Sequence, residues 1–135
     1  MSRYFTPDEA NAMLPELRPL VEAMVARRKS LNRAVERHAE LQTVVGGNGG
    51  GLPPSELAEA AASVDAERRA LERCIQRITV LGLQVKDLDA GLVDFPALRG
   101  SEDVLLCWRL GEDEVAFWHG LEEGFAGRKP LPFED

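Results

Sequence analysis

The sequence has only two cysteines, Cys74 and Cys107, and they lie in segments of different character. A disulfide framework is therefore not expected, and a chain of 135 residues is long enough to bury a core without one. Long apolar runs are also missing: none approaches the roughly 18 residues of a membrane span, and the first residues lack the apolar stretch of a signal peptide. The length predicts a single domain, residues 1–135. The absences predict a reduced, cytoplasmic protein that makes no contact with a membrane.

Positive charge is scarce in the second half of the chain. Residues 83–135 carry 5 Lys or Arg against 12 Asp or Glu, whereas residues 14–82 carry 10 against 9, within a net charge of −7. The overall charge argues against nucleic acid as a general partner. The first half nevertheless has a basic belt, in which Arg27, Arg28 and Arg33 are the candidates for binding RNA phosphate. The alternative is that these arginines lay their methylene groups along the helices and keep their charges in water.

The first half has helical periodicity. Thr6-Pro7-Asp8-Glu9 is typical of a helix start with a capping box, and Pro15 predicts that this short helix, residues 6–13, ends ahead of it. Apolar residues at heptad a and d positions then predict two long helices, residues 14–45 and 55–82, which the stretch GGNGGGLPP folds back into an antiparallel coiled-coil hairpin. The two series of the second helix are Ala61, Arg68, Ile75, Gly82 and Leu57, Val64, Leu71, Ile78.

The second half changes to β-branched and aromatic residues separated by turn residues, which predicts a small three-stranded antiparallel sheet packed on the helices. A four-residue turn pairs Leu98 with Asp103, and a second turn pairs Leu110 with Val115. Residues 115–119 then form the third strand, although a helix is an alternative for them. The predicted fold class is α+β.

Strand alternation divides the polar residues of this sheet between two faces. Under the predicted pairings His119 points to the helices, whereas the opposite face collects Asp94, Cys107, Arg109 and Trp118. A zinc site built from Cys107, His119 and Asp94 is thereby excluded, and Cys107 is expected to be a buried structural cysteine. A slip of one residue in either pairing would exchange the faces of that strand.

The candidate ligand site is the mixed face of the sheet. Asp94 and Arg109 lie diagonally on neighbouring strands, close enough for an ion pair, and Trp118 can flank Arg109 as a stacking surface. Arg128, which follows two glycines, could close such a pocket around a small anion. The alternative is a plain ion pair on a sheet surface.

Metal and cofactor motifs are weak. Asp87 and Asp89 could offer oxygen ligands to Mg²⁺ or Ca²⁺, but they lack the spacing of a calcium-binding loop, and turn residues are the favoured interpretation. The glycine-rich stretch has no phosphate-binding Lys-Ser/Thr. No cofactor is therefore expected.

Several longer motifs resemble a known family. VKDLDAGLVDFPA, LCWRLGE, FWH and GFAGRKPL in the second half, after the N-terminal FTPDEANAMLPELRPL, resemble the prokaryotic proteins known as domain of unknown function 2203. The resemblance covers nearly the whole chain and implies a small bacterial protein with a helical hairpin and a strand-rich C-terminal module. It carries no established activity and therefore supplies no catalytic residue.

The heptad seams make a non-enzymatic interaction or self-association module the first functional hypothesis, with a homo-oligomer (a dimer) or another protein as the partner. A small-anion or divalent-metal-dependent enzyme or ligand-binding protein, using the C-terminal sheet surface, is the alternative. RNA or ribosome contact through the basic belt is a third. The sequence leaves open the substrate, the partner, the oligomeric state and whether the protein is an enzyme.

Overall fold

Two long helices precede a five-stranded antiparallel sheet in a computed structural model, which describes residues 3–46 and 54–133. The elements follow one another as α1 (Pro7–Gly46), α2 (Pro54–Thr79), β1 (Gln84–Asp87), β2 (Leu92–Arg99), β3 (Glu102–Arg109), β4 (Phe117–Gly120) and β5 (Lys129–Pro130). The strands lie in the sheet in chain order. The α+β class is thus confirmed, with five strands in place of the predicted three. Most of the glycine-rich connection between the helices lies outside the described residues.

Helix α1 begins at the predicted capping box. The backbone N–H of Thr6 donates to Oε1 of Glu9 over 2.9 Å, and the N–H of Glu9 donates to Oγ1 of Thr6 over 3.1 Å. Two N–H groups at the start of the helix therefore have partners that the helix itself cannot supply.

The predicted short helix over residues 6–13 is wrong, because α1 continues through Pro15 and Pro19 without a break. Both prolines are exposed, whereas an apolar stripe on the other side of the helix is buried against the core on either side of each proline. The packing of this stripe offsets the hydrogen bonds that the prolines remove. Its first members are Ala10, Leu14, Leu17 and Val21, all 3% exposed or less.

Helices α1 and α2 pack antiparallel, since Arg27 is paired with Glu67 and Arg37 with Glu56. The α2 series that contains Leu71 and Ile78 faces the core as predicted, but the other series is displaced by one residue. Ala60 and Cys74 are buried in place of Ala61 and Ile75, and Arg68 is exposed beside Asp65. Neither described helix has an apolar stretch long enough to cross a membrane.

The first predicted hairpin of the sheet is confirmed. Strands β2 and β3 pair with Leu98 opposite Asp103 and Val93 opposite Trp108. One face of these strands joins the helices in a single apolar core. Its residues are Val93, Phe95, Ala97, Val104, Leu106 and Trp108, each 1% exposed or less.

The second predicted hairpin is displaced by one residue. Leu105 lies opposite His119 and Leu106 opposite Trp118, where the predicted pairing put Leu106 opposite His119. Residues 117–120 do form a strand, so the helical alternative is wrong. The slip moves Trp118 to the helix-facing side of the sheet and His119 to the side that carries Cys107.

The slip follows from the connection between β3 and β4, whose backbone is bonded to side chains of α1. The N–H of Val115 donates to Oδ1 of Asn11 over 2.7 Å, and Nδ2 of Asn11 donates to the carbonyl of Val115 over 3.2 Å. Arg18 donates to the carbonyls of Glu112 and Asp113. Val115 is thereby withdrawn from the strand pairing and buried, and β4 begins two residues later than the predicted strand.

Candidate functional site

Three polar side chains converge on the face of the sheet that points away from the helices. Asp94 comes from β2, Cys107 from β3 and His119 from β4. Asp94 lies directly opposite Cys107, and His119 lies opposite Leu105, two residues from Cys107 on the same face. All three are buried, with exposed fractions of 1%, 0% and 2%.

The potential ligand atoms of these residues, a carboxylate oxygen, Sγ and an imidazole nitrogen, all lie within 4.8 Å of one another. Nε2 of His119 is 3.1 Å from Oδ2 of Asp94, and Nδ1 of His119 is 2.8 Å from the carbonyl oxygen of Gly120. Because a carbonyl oxygen only accepts, Nδ1 carries a proton. The contact between Nε2 and Oδ2 then requires one further proton, held either by the imidazole or by the carboxyl group.

Burial makes charge unfavourable in this cluster. Desolvation raises the pKa of Asp94 above its usual value, although the neighbouring His119 and Cys107 oppose the rise. Desolvation and the Asp94 carboxylate raise the pKa of the Cys107 thiol to about 12. Oδ1 of Asp94 is buried and has no hydrogen bond of good geometry. Burial therefore favours the protonated thiol of Cys107 and makes an isolated carboxylate at Asp94 unfavourable.

Arg128 holds the C-terminal segment against this face. Its guanidinium donates to both carboxylate oxygens of Glu112, over 2.7 and 3.0 Å, and to the carbonyl of Cys107 over 3.2 Å. It also lies 4.2 Å from the ring centroid of Phe117 and 4.5 Å from that of Phe125. Arg128, one of the predicted ligand residues, thus lies next to the buried cluster, but its charge is paired with Glu112.

The predicted pair of Asp94 and Arg109 does not form. Asp94 binds His119, whereas Arg109 lies opposite Leu92, at the edge of a cavity. Trp118 does not flank Arg109 either, because the slip places it on the other face, where Arg99 and Lys129 lie 5.0 and 4.7 Å from its ring centroid. The structure thus separates the predicted site into three places.

Asp87 and Asp89 form a turn. Oδ1 of Asp87 accepts from the N–H groups of Asp89 and Ala90, and Asp89 pairs with Arg28 over 3.2 Å. Within residues 3–46 and 54–133, the one group of three or more clustered metal-ligand side chains is that of Asp94, Cys107 and His119.

The arginines proposed for nucleic-acid binding make contacts within the chain. Arg27 pairs with Glu67 at 3.6 Å, Arg28 pairs with Asp89, and Arg33 donates to Oγ of Ser30. RNA binding through this belt stays a prediction.

The exclusion of a site built from Asp94, Cys107 and His119 was wrong, because it assumed a tight second turn that put Cys107 and His119 on opposite faces. One signal could have found them: pairing His119 with Leu106 would bury an imidazole on an apolar face with no polar neighbour, which proteins avoid. A slip of one residue gives the same imidazole a carboxyl partner.

A family model described as "Uncharacterized conserved protein (DUF2203)" matches residues 3–131. The chain therefore belongs to this family, as its motifs indicated. The chain matches no curated protein and no solved structure at a significant level of similarity.

Proposed function

We propose that this DUF2203 protein binds Zn²⁺ or a similar divalent transition-metal ion through Asp94, Cys107 and His119. One observation carries the proposal: a carboxylate, a thiol and an imidazole from three neighbouring strands lie buried with their ligand atoms within 4.8 Å of one another. Sulfur, nitrogen and oxygen donors in one group suit zinc and similar ions better than Mg²⁺ or Ca²⁺, which prefer oxygen alone.

The spacing supports a shared ion. Two ligand atoms at the usual zinc distances in a tetrahedral site lie about 3.3 Å apart. Nε2 of His119 and Oδ2 of Asp94 are 3.1 Å apart, so these two atoms can bind one ion with little movement. The thiol of Cys107 needs a shift of at most about 1 Å to reach the same ion, since all three ligand atoms lie within 4.8 Å of one another.

The surroundings of His119 support the same role. A metal-binding histidine almost always donates its second ring N–H to an oxygen, which fixes the tautomer and the orientation of the ring. Nδ1 of His119 makes this bond to the Gly120 carbonyl. The imidazole thus already has the tautomer that leaves Nε2 available to an ion.

A bound cation also removes the electrostatic cost of the cluster. It displaces the proton shared by Asp94 and His119 and the proton of the Cys107 thiol, so binding releases protons and strengthens with rising pH. Three protein ligands leave one position of a tetrahedral zinc for water or another small ligand.

Metal content and cobalt spectroscopy test the proposal. Protein purified in the presence of zinc should retain one zinc per chain by inductively coupled plasma mass spectrometry. The Co²⁺ form should show the charge-transfer band of a cobalt–thiolate bond. Asp94→Asn, Cys107→Ala and His119→Gln should each weaken binding by more than about 100-fold, because losing even an outer partner of a ligand costs about 10–100-fold.

Cys74→Ala is the matched control, since Cys74 is the other buried cysteine but lies in α2, in the core. It should leave the metal content and the cobalt spectrum unchanged. Two results would contradict metal binding: folded wild-type protein without stoichiometric metal, or a cobalt–thiolate band that survives Cys107→Ala. The cluster would then be a buried hydrogen-bonded group only.

Self-association, or docking of another protein, stays a prediction from the sequence and is a second candidate function. Among the described residues of α1 after Leu31 and of α2 before Leu71, only Ala60 is buried, and Val35 and Val44 are each 47% exposed. A second copy that packs on this end of the hairpin would cover these side chains. Light scattering over a concentration series measures self-association, and Val35→Glu should dissociate any dimer. A monomer at all concentrations with no co-purifying partner would end this hypothesis.

A further inference from the structure

A cavity of about 250 Å³ lies beside the buried cluster, on the same face of the sheet. Its lining residues are Asp87, Ala90, Leu92, Arg109 and Phe125. Asp87, Leu92 and Arg109 form one row across β1, β2 and β3. This row is two residues further along the strands than Asp94 and Cys107, a distance of about 7 Å.

Arg109 supplies the positive charge of the cavity. Its backbone N–H is held by Oε1 of Glu112 over 2.7 Å, but the carboxylate of Glu112 is bound by Arg128. Arg109 is exposed and takes part in none of the ion pairs found among the described residues. Its guanidinium therefore has donors available to a ligand, on a strand position that the Glu112 contact fixes.

Asp87 limits the negative charge that a ligand in the cavity can carry. Its pKa is lowered chiefly by the backbone N–H groups of Ala90 and Asp89, and further by the positive charges of Arg109 and Arg28. It is therefore ionised at neutral pH. A ligand with one negative charge can bind Arg109, but a second negative charge nearby would meet Asp87.

The remaining walls are apolar. Leu92 lies between the two charged residues in the row, and Phe125 is 43% exposed although it is a large aromatic side chain. The Phe125 ring is steadied by the guanidinium of Arg128, 4.5 Å from its centroid. Arg109 has no ion-pair partner within residues 3–46 and 54–133, and it lines the cavity together with the exposed ring of Phe125. This combination favours a ligand that has an apolar body and an anionic end.

We infer that this cavity binds a small organic monoanion, with its carboxylate on Arg109 and its apolar body against Leu92 and Phe125. The inference goes beyond metal binding and does not depend on it, because none of the five lining residues belongs to the buried cluster. Asp87 sets the specificity: monocarboxylates bind better than dicarboxylates of similar length.

Isothermal titration with hexanoate and with adipate, a dicarboxylate of the same chain length, tests this. Wild-type protein should bind hexanoate saturably and adipate at least about tenfold more weakly, since a misplaced charge costs about 1.4 kcal/mol or more. The titrations are run on chelator-treated and on zinc-loaded protein. Hexanoate binding in both states, or in the chelated state alone, upholds the cavity even if zinc binding fails.

Variants separate the roles of the two charges. Arg109→Gln should weaken hexanoate binding by about tenfold or more, because a charge-assisted hydrogen bond is lost. Asp87→Asn keeps the oxygen that accepts the turn N–H groups and should bring adipate binding close to that of hexanoate. Arg33→Gln changes an exposed arginine of α1 that does not line the cavity; it is the control and should change neither affinity.

Two results would overturn the inference. One is the absence of saturable hexanoate binding by folded wild-type protein in either metal state. The other is hexanoate binding that Arg109→Gln and Arg33→Gln affect equally, while Arg109→Gln unfolds at the wild-type temperature. Equal affinity for hexanoate and adipate in the wild type would remove the role of Asp87.

Discussion

Nε2 of His119 lies 3.1 Å from Oδ2 of Asp94, and a hydrogen bond between these two atoms needs one proton. Both side chains are buried, and the second ring nitrogen of His119 is committed to the Gly120 carbonyl. The contact between His119 and Asp94 is thus a buried polar contact, and its strength depends on whether a proton or a metal ion lies between Nε2 and Oδ2. A proton holds it together in the metal-free chain, and a metal ion would take the place of that proton.

Two substitutions at Asp94 test this contact. In the metal-free protein Asp94→Asn should be nearly neutral for stability, because the amide N–H₂ can donate to Nε2 of neutral His119. Asp94→Ala leaves that nitrogen buried without a partner and should lower the free energy of unfolding by about 1–3 kcal/mol. Urea denaturation measures both. Equal losses for the two variants would contradict the shared proton.

Gly91 lies where a side chain has no room. Its φ is +69°, and a Cβ would lie 2.9 Å from Cβ of Leu110 and 2.9 Å from Cγ1 of Val21. Gly100 has a similar φ of +63° but nothing within 4 Å of the same position. Gly91→Ala should therefore cost about 1–3 kcal/mol more than Gly100→Ala, which carries the backbone strain alone. Chemical denaturation of both variants measures the difference, and equal costs would show that the helix moves away easily.

Asn11 should control the register of the second hairpin. Asn11→Ala leaves the N–H and the carbonyl of buried Val115 without these partners, and we expect a loss of about 1–3 kcal/mol. Asn11→Asp keeps an acceptor for the N–H but places a carboxylate oxygen against the carbonyls of Val115 and Pro7, so it should be no better than Asn11→Ala. Amide hydrogen exchange at residues 117–120 locates the effect. Unchanged protection there would mean that β4 is set by other contacts.

The capping box should appear in the pH dependence of stability. Hydrogen bonds with the backbone N–H of Thr6, and then with its hydroxyl, lower the pKa of Glu9 below its usual value. A lowered pKa means that the unfolded chain takes up the proton first, so the contribution is complete above the unfolded pKa and is lost as pH falls through the folded one. Glu9→Gln keeps the hydrogen-bond acceptor without titrating. The stability difference between wild type and variant should shrink between pH 6 and pH 3, roughly the range over which glutamates titrate; a constant difference would contradict this.

The elements that the sequence predicted well are those set by local pattern. The capping box, the two helices and the β2–β3 hairpin follow from residue spacing and a tight turn, and all three are present. The break at Pro15 was wrong because helix continuity depends on the buried stripe of Leu14 and Leu17, which local propensity does not include. The same holds for the one-residue displacement in α2, where Cys74 and not Ile75 faces the core most directly.

The buried cluster was excluded at the level of the sequence for a long-range reason. Asp94, Cys107 and His119 were all noted as residues, but their relation depends on a register that Asn11 and Arg18 fix from more than ninety positions away. A turn of the assumed length would have put Cys107 and His119 on opposite faces. The spacing between two strands alone could not distinguish these outcomes.

The bonds from α1 to the β3–β4 connection also give the chain an order of assembly. Synthesis runs from the N-terminus, so Asn11 and Arg18 leave the ribosome well before Val115 and His119. The helix that dictates the register is thus available as a template when the last strands arrive. A fragment that begins after α2 would carry every ligand of the cluster and still lack the template, and its β4 would be free to pair in the other register.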